Sequence, residues 1–494
     1  MPRFVGGVLA AALLVAVPAC AASTPKAQPS AASALPSTPA GRQAAALLQV
    51  FNQGEGSTML AFIKDHYAKT ALAQRPAEQH LGMFGQLWGD TNGLAFQKVE
   101  SSSERTLVLV ARDKLIGEEV RLQVDVEAKA PHGILGVKVQ PVAPSTDSGR
   151  PLTDEEVAHA TQLYVQKLSA ADAFSGTVLI AHGDKVIYQG AFGLASRAHQ
   201  VPNRLDTKFN LGSMNKMFTS VAIAQLVETG KLSFEDTVGK VLPDYPNKAV
   251  AEKVTVHHLL THTSGLGNFF NARYMETDKS RLRQIKDFLP LFVDEPLAFE
   301  PGSSFRYSNA GFIVLGAIIE KASGQNYFEY VREHLYKPAG MTSSDAYEMD
   351  RDTPNLAVGY TSQGPGGQES PTRDWNNLFL HVVKGGPAGG GFSTVEDLWR
   401  FSRALQAHRL LGAETTQRVT TGKVEREPGS QYAYGFMDEQ VQATRIVGHG
   451  GGFPGINSQL DIYLGKGYTV AVMSNYDPPA AGRVAQKIRT LLLR

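Results

Sequence analysis

The chain of 494 residues contains a single cysteine, Cys20, which lies near its start. The region that folds therefore has no thiol, and this excludes intrachain disulfides and zinc sites built from cysteine and histidine ligands. His257, His258 and His262 lie close together, but no glutamate stands at the spacing of a zinc protease, so a structural role is predicted for them. No metal or cofactor is expected.

An excess of charge of one sign is also missing. The chain has 48 Lys and Arg residues against 47 Asp and Glu residues, which gives a net charge of +1, and it has no basic runs. A surface for nucleic acid needs clustered positive charge, so nucleic acid is not expected as a partner.

Long hydrophobic runs are absent apart from one at the start. Residues 4–17 follow Arg3, are too short to span a bilayer and are typical of an export signal, here residues 1–20. Residues 17–20 (VPAC) resemble a bacterial lipobox, which would make Cys20 a lipid anchor. The alternative is ordinary signal cleavage after Ala21, because residues 19–21 (ACA) fit the small-residue rule. Either way, a periplasmic or other extracytoplasmic location is expected.

The region after the signal predicts a small domain of its own. Residues 21–40 are rich in Ala, Ser, Pro and Thr and predict a disordered linker. Residues 41–143 carry three helical patterns followed by four strand-like runs, which predicts a small α+β domain loosely similar to NTF2-like or cystatin-like modules. It has no evident nucleophile or ligand cluster, which favours packing, substrate presentation or partner binding. The helices are predicted at 41–51, 57–67 and 77–87, and the strands at 94–99, 106–111, 119–126 and 134–139.

Residues 144–152 are predicted to be a linker, because Thr153 and Glu156 form a capping box that begins a new helix. Residues 177–181 and 186–189 predict a hairpin, and further strands near the chain end precede a closing helix that starts at Asp477. The middle of the region is mostly helical. Residues 153–494 therefore predict an α/β-type catalytic domain, with an antiparallel sheet flanked by helices, an all-helical region and a cleft between them.

The main chemical signal is Ser213, followed by Lys216, at the first turn of an apolar helix that ends near Gly230. Residues three apart on a helix share one face, with Cβ atoms roughly 5–6 Å apart, so the amine can reach the hydroxyl or its base. The helix N terminus also favours an oxyanion. The pattern predicts covalent acyl transfer, and the alternative is a structural lysine whose amine reaches solvent.

Two further motifs follow along the chain. Tyr307 and Asn309 lie on a loop after a Pro-Gly turn, and loops carried by a rigid scaffold concentrate catalytic groups. His449 begins a glycine run that includes Gly451 and Gly452 and precedes an alternating strand. Such glycines indicate a strand edge where backbone approaches a ligand closely.

In this order, the three motifs resemble the active-site elements of the penicillin-recognising serine hydrolases. The chain is most similar to the class C β-lactamase group, which also contains D-alanyl-D-alanine carboxypeptidases, D-aminopeptidases and β-lactamase-type esterases. Residues 259–266 (LLTHTSGL) and 387–394 (PAGGGFST) extend the resemblance, which spans about residues 155–494. It implies a β-lactamase/transpeptidase-like fold and a small-molecule or peptide substrate, with cell-wall peptides among the candidates for an exported enzyme.

The resemblance also implies a role for each motif residue. Ser213 would be the acylated nucleophile, Lys216 its partner, and Tyr307 the general base, as a phenolate favoured by Lys216. Asn309 would hydrogen-bond the substrate amide and the lysine, and the backbone N–H groups of Ser213 and Gly452 would form the oxyanion hole. The opposing interpretation makes Tyr307 an interface residue and Asn309 a turn former.

One departure from the family bears on the substrate. In true β-lactamases and many transpeptidases the third motif begins with lysine, often with a hydroxyl residue nearby, and these groups hold the substrate carboxylate. Here His449, Gly451 and Gly452 stand in this motif. A histidine with a pKa of about 6.5 is mostly neutral at neutral pH, so the hold on a carboxylate is expected to be weaker. The alternative places His449 beneath the strand, as a structural residue.

The sequence thus predicts an exported serine hydrolase with an acyl-enzyme on Ser213, acting on esters or D-amino-acid peptides. Asn309, His449, Gly451 and Gly452 are the predicted substrate-binding residues. Two alternatives stay open: a sensor that binds a β-lactam or wall peptide without efficient turnover, and a true class C-type β-lactamase. Five aromatic residues are hypothesised to line the acyl pocket: Phe269, Phe270, Tyr274, Trp375 and Phe379.

Overall fold

The computed structural model describes residues 35–142, 150–364, 368, 370 and 372–494. The predicted export signal, residues 21–34 of the predicted disordered linker and residues 144–149 of the second predicted linker lie outside the described residues. In the part of the chain that is described, no helix combines the length and the apolar character needed to span a bilayer.

The N-terminal unit packs helices against one four-stranded sheet. The strands pair antiparallel in chain order. The apolar face of the first helix covers residues such as Leu109 and Leu122, and the second helix packs against the first and the fourth. A short helix was not anticipated from the sequence, since only Ala71 of its six residues is buried and no apolar periodicity marks it. The helices are Pro39–Phe51, Gly56–His66, Lys69–Gln74 and Ala77–Thr91, and the strands are Leu94–Ser102, Thr106–Asp113, Glu119–Val126 and Ile134–Pro141.

The centre of the catalytic domain is an eight-stranded antiparallel sheet. Strands from the two ends of the domain are neighbours in it, because Tyr468–Ser474 pairs with Gly176–His182. In spatial order the strands are Val424–Glu427, Ser430–Tyr432, Met437–Val441, Thr444–Phe453, Ile456–Leu464, Tyr468–Ser474, Gly176–His182 and Lys185–Phe192.

Alternation of side chains divides this sheet between two cores. Val178 and Ile180 face the helices Asp154–Ala170 and Ala480–Leu492, while Leu179 and its neighbours on the other face contact the helical region. This is the period-two pattern expected of a sheet that is covered on both sides. The sheet flanked by helices and the separate helical region agree with the architecture predicted from the sequence.

The helical region and the remaining short elements complete the domain. Its α-helices are Asn215–Glu228, Val238–Val241, Lys248–Lys253, Val256–Leu260, Ala272–Glu276, Ile285–Phe288, Asn309–Ser323, Tyr327–Val331, Lys337–Ala339, Val395–Gln406 and Ala413–Thr420. The 3-10 turns are Gly212–Met214, Lys279–Arg281 and Leu289–Leu291, and Arg332–Tyr336 forms a π-helical turn. Three short strand pairs are Leu194–Ser196 with Val201–Pro202, Phe209–Asn210 with Phe392–Ser393, and Tyr360–Thr361 with Trp375–Asn376.

The closing helix begins at Ala480, three residues later than predicted. Asp477 instead accepts hydrogen bonds from the backbone N–H groups of Gly455 and Ser362, so it ties two loops together outside the helix. The predicted capping box is present: Thr153 and Glu156 exchange hydrogen bonds at the start of Asp154–Ala170.

The closing helix also joins the catalytic domain to the N-terminal unit. Arg483 donates to the Gly89 carbonyl and forms an ion pair with Asp90, and Lys487 forms an ion pair of 2.8 Å with Glu118. The helix therefore contacts the sheet on one side and the N-terminal unit on the other.

Candidate active site

Ser213 lies in the 3-10 turn that leads into the helix Asn215–Glu228. The turn is held from outside: the Leu211 N–H donates to the Gly391 carbonyl at 2.7 Å, and the Gly212 N–H donates to Asn210 Oδ1 at 2.9 Å. Gly212 adopts a φ of +51°, and a Cβ there would lie 3.1 Å from Gly452 N. Only glycine lets the start of the helix come this close to the Thr444–Phe453 strand.

Lys216 is fully buried and its amine is surrounded by three oxygen atoms. Nζ donates to Asn309 Oδ1 at 2.8 Å and to the Ala388 carbonyl at 2.5 Å, and it lies 3.3 Å from Ser213 Oγ. Burial lowers the pKa of Lys216 well below its ordinary value, because the charged form loses its hydration. The alternative of a structural lysine with its amine in solvent is therefore not observed.

Tyr307 stands on the other side of Ser213. Its side chain is 37% exposed at the cleft, its hydroxyl is hydrogen-bonded to Ser213, and Lys216 Nζ lies 4.7 Å from the centre of its ring. Desolvation of the hydroxyl raises the pKa of Tyr307, and the hydrogen bond to Ser213 only partly offsets this.

These pKa shifts do not favour the phenolate that was predicted for Tyr307. A Lys216 ammonium with a Tyr307 phenolate, and a neutral amine with a neutral phenol, hold the same number of protons. Burial disfavours charge on both groups, so the neutral pair is the form that the site favours.

The loop that carries Tyr307 and Asn309 is fixed by His262. The Ser308 N–H donates to His262 Nδ1 at 3.0 Å, and the His262 ring lies 4.2 Å from that of Tyr307. Asn309 begins the helix Asn309–Ser323, so its amide is directed by the helix start; Oδ1 accepts from Lys216, and Nδ2 donates to Asn268 Oδ1 at 3.2 Å.

His257, His258 and His262, the three histidines that lie close together in the sequence, each make structural contacts. Among the described residues, no group of three or more His, Cys, Asp or Glu side chains is placed to hold a metal ion. His262 is fully buried, and burial lowers its pKa well below its ordinary value, so it is neutral. His257 bonds the Tyr434 hydroxyl, and His258 caps its own helix.

His449 lies beneath the cleft and not in its wall. It is 6% exposed, its Nδ1 donates to the Gly450 carbonyl at 2.5 Å, and its Nε2 lies 3.0 Å from the Tyr432 hydroxyl. Burial is the main cause that lowers the pKa of His449 to about 3, so the ring is neutral. The position agrees with the alternative of a residue packed under the strand, and direct contact with a substrate, as predicted, is not supported.

Gly451 and Gly452 bring the strand to the nucleophile. A Cβ on Gly451 would lie 2.1 Å from the Leu211 carbonyl oxygen, so this glycine is needed where the strand meets the chain before Ser213. Gly452 lines the cleft together with Ser213. Ser213 and Gly452, the two residues of the predicted oxyanion hole, therefore line the same cleft.

The cleft has a volume of about 360 Å³ and a mainly uncharged wall. Among the described residues that line it, none is a lysine or an arginine. Its lining consists of Gly212, Ser213, Asn268, Phe269, Phe270, Tyr307, Asn309, His381, Val382, Ala388, Gly389, Gly390, Gly452 and Phe453.

The structure places only part of the predicted aromatic set in this wall. Phe269 and Phe270 line the cleft, whereas Tyr274 is buried behind them and Phe379 is 87% exposed. Trp375 is in the short strand that pairs with Tyr360–Thr361 and does not line the cleft.

Several lining residues were not predicted to be in the site, among them Phe453, His381, Asn268 and Val382. Phe453 faces Phe270 at 5.4 Å, and the buried His381 packs edge-on against Phe453 at 5.1 Å. Asn268 follows the LLTHTSGL stretch by two residues, and its closeness to that stretch is the sequence feature that could have predicted its place in the cleft. Val382 and His381 lie in a loop with no distinguishing pattern.

Comparison with known proteins agrees with this geometry. Residues 161–494 match the family described as Beta-lactamase. The chain is 30% identical over 324 residues to penicillin-binding protein 4* of Bacillus subtilis (strain 168), which covers 64% of this chain and 71% of that protein. It is 29% identical over 314 residues to esterase EstB of Burkholderia gladioli, which covers 56% of this chain and 78% of that protein.

A solved structure gives the same result for the fold. The penicillin binding protein from Bacillus halodurans superposes with a TM-score of 0.60 at 34% identity, and the match covers 68% of this chain and 98% of that chain. The family match includes all three motifs and leaves the N-terminal unit outside it.

Proposed function

Since this chain belongs to the β-lactamase family of serine hydrolases, we propose that it is an exported enzyme that forms an acyl-enzyme on Ser213 and hydrolyses esters or D-amino-acid-containing peptides. The observation that carries the proposal is the set of contacts made by Lys216 Nζ. The steps below follow from those contacts.

Lys216 acts as the base that activates Ser213. A neutral amine has two N–H donors and one lone pair, and the carbonyl oxygens of Asn309 and Ala388 take the two donors. The lone pair is then left for the Ser213 hydroxyl proton at 3.3 Å. Burial supports this role because it keeps the amine unprotonated.

Attack forms the bond between Ser213 Oγ and the substrate carbonyl carbon, and the hydroxyl proton moves to Lys216. The negative charge goes to the carbonyl oxygen, which the backbone N–H groups of Ser213 and Gly452 stabilise. Collapse breaks the bond to the alcohol or amine, which takes a proton from the Tyr307 hydroxyl, and Lys216 returns a proton to Tyr307. Water then attacks the acyl carbon while Lys216 takes a proton from it, the bond to Ser213 Oγ breaks and releases the free acid, and Lys216 returns the proton to Ser213 Oγ.

The substrate class follows from the uncharged cleft. A fixed cation that would hold a carboxylate is missing from the described lining, and His449 is neutral and covered. Desolvation raises the pKa of Tyr307 and the charge of Arg426 offsets this only in part; Arg426 is exposed on the Val424–Glu427 strand and does not line the cleft. An uncharged acyl group against Phe269, Phe270 and Phe453 suits this wall better than the carboxylate of a β-lactam.

Labelling with a fluorophosphonate probe tests the covalent step. One adduct is expected on the wild type and none on Ser213→Ala, while Ser304→Ala, which removes an exposed serine near Tyr307, should label normally. A wild type that takes no label would favour the sensor that binds without turnover.

Turnover on a p-nitrophenyl ester, a D-alanyl-D-alanine peptide and a chromogenic cephalosporin tests the substrate class. The highest kcat/KM is expected on the ester, because the D-alanyl-D-alanine peptide and the cephalosporin both carry a carboxylate for which the described lining offers no cation. If the cephalosporin is the best substrate by a wide margin, the chain is instead a true β-lactamase and the argument from the uncharged cleft is wrong.

Export and the lipid anchor are part of the same proposal and rest on residues 1–21. Fractionation of cells that express the full chain should place it outside the cytoplasm. A Cys20→Ser variant should leave the membrane fraction if Cys20 is lipidated, and it should distribute like the wild type if cleavage follows Ala21.

A further inference from the structure

A second cavity, of about 780 Å³, lies between the N-terminal unit and the closing helix. None of its lining residues belongs to a motif of the active site, and its volume lies within the roughly 300–1,000 Å³ typical of ligand sites. Its lining residues are Tyr67, Ala71, Gln74, Arg75, His80, Met83, Phe84, Leu87, Asp90, Leu135, Gly136, Val137, Val139, Gln486 and Thr490.

One wall of this cavity is apolar and accessible. Met83 is 48% exposed and Leu135 is 39% exposed, although both are large apolar side chains. Phe84 and Val137 continue the same wall toward the core of the N-terminal unit. Exposed apolar side chains that line one cavity indicate a surface that an apolar ligand would cover.

The cavity also holds a cation without a carboxylate partner. Among the described residues, Arg75 forms no ion pair, and its guanidinium donates to the weak acceptor Met83 Sδ at 2.6 Å. The carboxylate on the opposite side, Asp90, is already paired with Arg483. Arg75 is therefore the charged lining residue that is left to pair with a ligand, which favours an anionic group there.

His80 and Tyr67 lie on the wall beside this cation, with their rings 4.7 Å apart. Nε2 of His80 is buried and has no hydrogen-bond partner among the described residues. Burial is the main cause that lowers the pKa of His80, and the charge of Arg75 adds to it, so the field of Arg75 reaches this part of the cavity. Such an unpaired buried group is costly unless a ligand or a water molecule satisfies it.

We propose that this cavity binds a single-chain amphiphile with an anionic head group, with the head at Arg75 and the chain along Met83, Phe84 and Leu135. The ligand would contact both parts of the protein, because Gln486 and Thr490 of the closing helix complete the lining. The site is independent of catalysis at Ser213, and a failure of the proposed hydrolase function would leave it unaffected.

Calorimetric titration of the full chain, carrying Ser213→Ala so that no acyl-enzyme forms, tests the proposal. Sodium dodecanoate below its micelle concentration is the probe, and saturable binding at one site is expected. Arg75→Gln should weaken binding by about ten- to a hundredfold, which is the range for loss of a charge-assisted hydrogen bond. Leu135→Glu should abolish it, because it places a carboxylate on the apolar wall.

The matched control is Arg105→Gln, which removes an exposed arginine of the same unit outside the cavity and should bind like the parent. Dodecyl maltoside, which has the same chain and no charge, should bind more weakly than dodecanoate. Circular dichroism of each variant separates a binding defect from a folding defect.

Binding to vesicles of phosphatidylglycerol tests whether the anionic ligand of the cavity is a bilayer lipid or a free amphiphile. Vesicle binding that depends on both Arg75 and Leu135, with no dodecanoate binding, would overturn the single-chain ligand and assign the site to a two-chain lipid. Dodecanoate binding that is equal in the parent, Arg75→Gln and Leu135→Glu proteins would overturn the proposal, as would an absence of saturable binding to both probes.

Discussion

The Tyr432 hydroxyl and His449 Nε2 lie 3.0 Å apart under the active-site cleft, and this hydrogen bond fixes the protonation of both groups. Nδ1 of His449 donates to the Gly450 carbonyl, so Nε2 carries the lone pair and the Tyr432 hydroxyl is the donor. The Tyr432 ring packs against His262, which in turn packs against Tyr307. His449 therefore supports the position of Tyr307 indirectly.

Removal of the Tyr432 hydroxyl should reduce stability more than activity. Tyr432→Phe leaves His449 Nε2 buried without a donor, which costs about 1–3 kcal/mol of unfolding free energy. Urea unfolding measures this loss, and kcat/KM on an ester is expected to stay within a few-fold of the wild type. Tyr330→Phe is the control, since its hydroxyl has no hydrogen-bond partner among the described residues and a change within about 0.5 kcal/mol is expected. Equal losses in both variants would contradict the role given to this bond.

Replacement of Lys216 by arginine should remove catalysis and keep the cleft. A guanidinium stays protonated at all accessible pH values and has no lone pair to accept the Ser213 proton. kcat/KM is expected to fall by about 10²–10⁴-fold, the range typical of a lost general base. A pre-steady-state burst of p-nitrophenol measures acylation directly. Acylation at the wild-type rate in Lys216→Arg would show that Tyr307, and not Lys216, takes the proton.

The pH dependence of activity should follow Lys216. The free amine is the active form, and burial lowers its pKa, so kcat/KM should rise as the pH rises through that lowered pKa and then reach a plateau. The raised pKa of Tyr307 keeps its proton in place on the plateau. His449→Gln should leave this acid limb where it is, because His449 stays neutral until about pH 3. If the acid limb of the kcat/KM profile shifts in His449→Gln, the limb reports the titration of His449 and not that of Lys216.

Stability should fall on acidification for a different reason. The pKa of His449 is about 3 in the folded chain and about 6.5 when unfolded, so the unfolded state binds the proton first as the pH falls below 6.5. Each pH unit between these values costs about 1.4 kcal/mol, which amounts to about 2 kcal/mol at pH 5. Urea unfolding at pH 7.5 and pH 5 should show a smaller loss in His449→Gln, since glutamine does not titrate. An unchanged loss would show that other groups, such as His262, carry the effect.

Local chemistry in the sequence was sufficient to single out Ser213, Lys216 and Tyr307, which the structure brings together. Ser213 and Lys216 share a helix face, and their contact depends only on helix geometry. The strands at 119–126 and 177–181 were also predicted from the sequence. The first has an alternating and the second a continuous apolar run, and the structure has strands at Glu119–Val126 and Gly176–His182.

Long-range packing was not available from the sequence. His449 looked like a cleft residue because its neighbours are glycines, yet Tyr432 on another strand covers it. The phenolate of Tyr307 was predicted from the charge of Lys216 alone, whereas burial shifts the pKa of both groups in the direction that favours the neutral pair. The cavity at Arg75 needs two regions that are about 400 residues apart in the chain, and no local pattern points to it.

The glycine at position 451 should be required for the geometry of the oxyanion hole. A Cβ in Gly451→Ala would lie 2.1 Å from the Leu211 carbonyl oxygen and 2.4 Å from Ser458 Oγ, so the strand or the start of the catalytic helix has to shift. Loss of one oxyanion donor typically reduces kcat by about 10²–10³-fold, and a loss of this size is expected on an ester substrate. Gly482→Ala is the matched control, because nothing lies within 4 Å of its Cβ in the closing helix; it should keep wild-type kcat and add about 0.5–1 kcal/mol to the unfolding free energy. A Gly451→Ala protein with wild-type kcat would show that the strand can yield without displacing the N–H of Gly452.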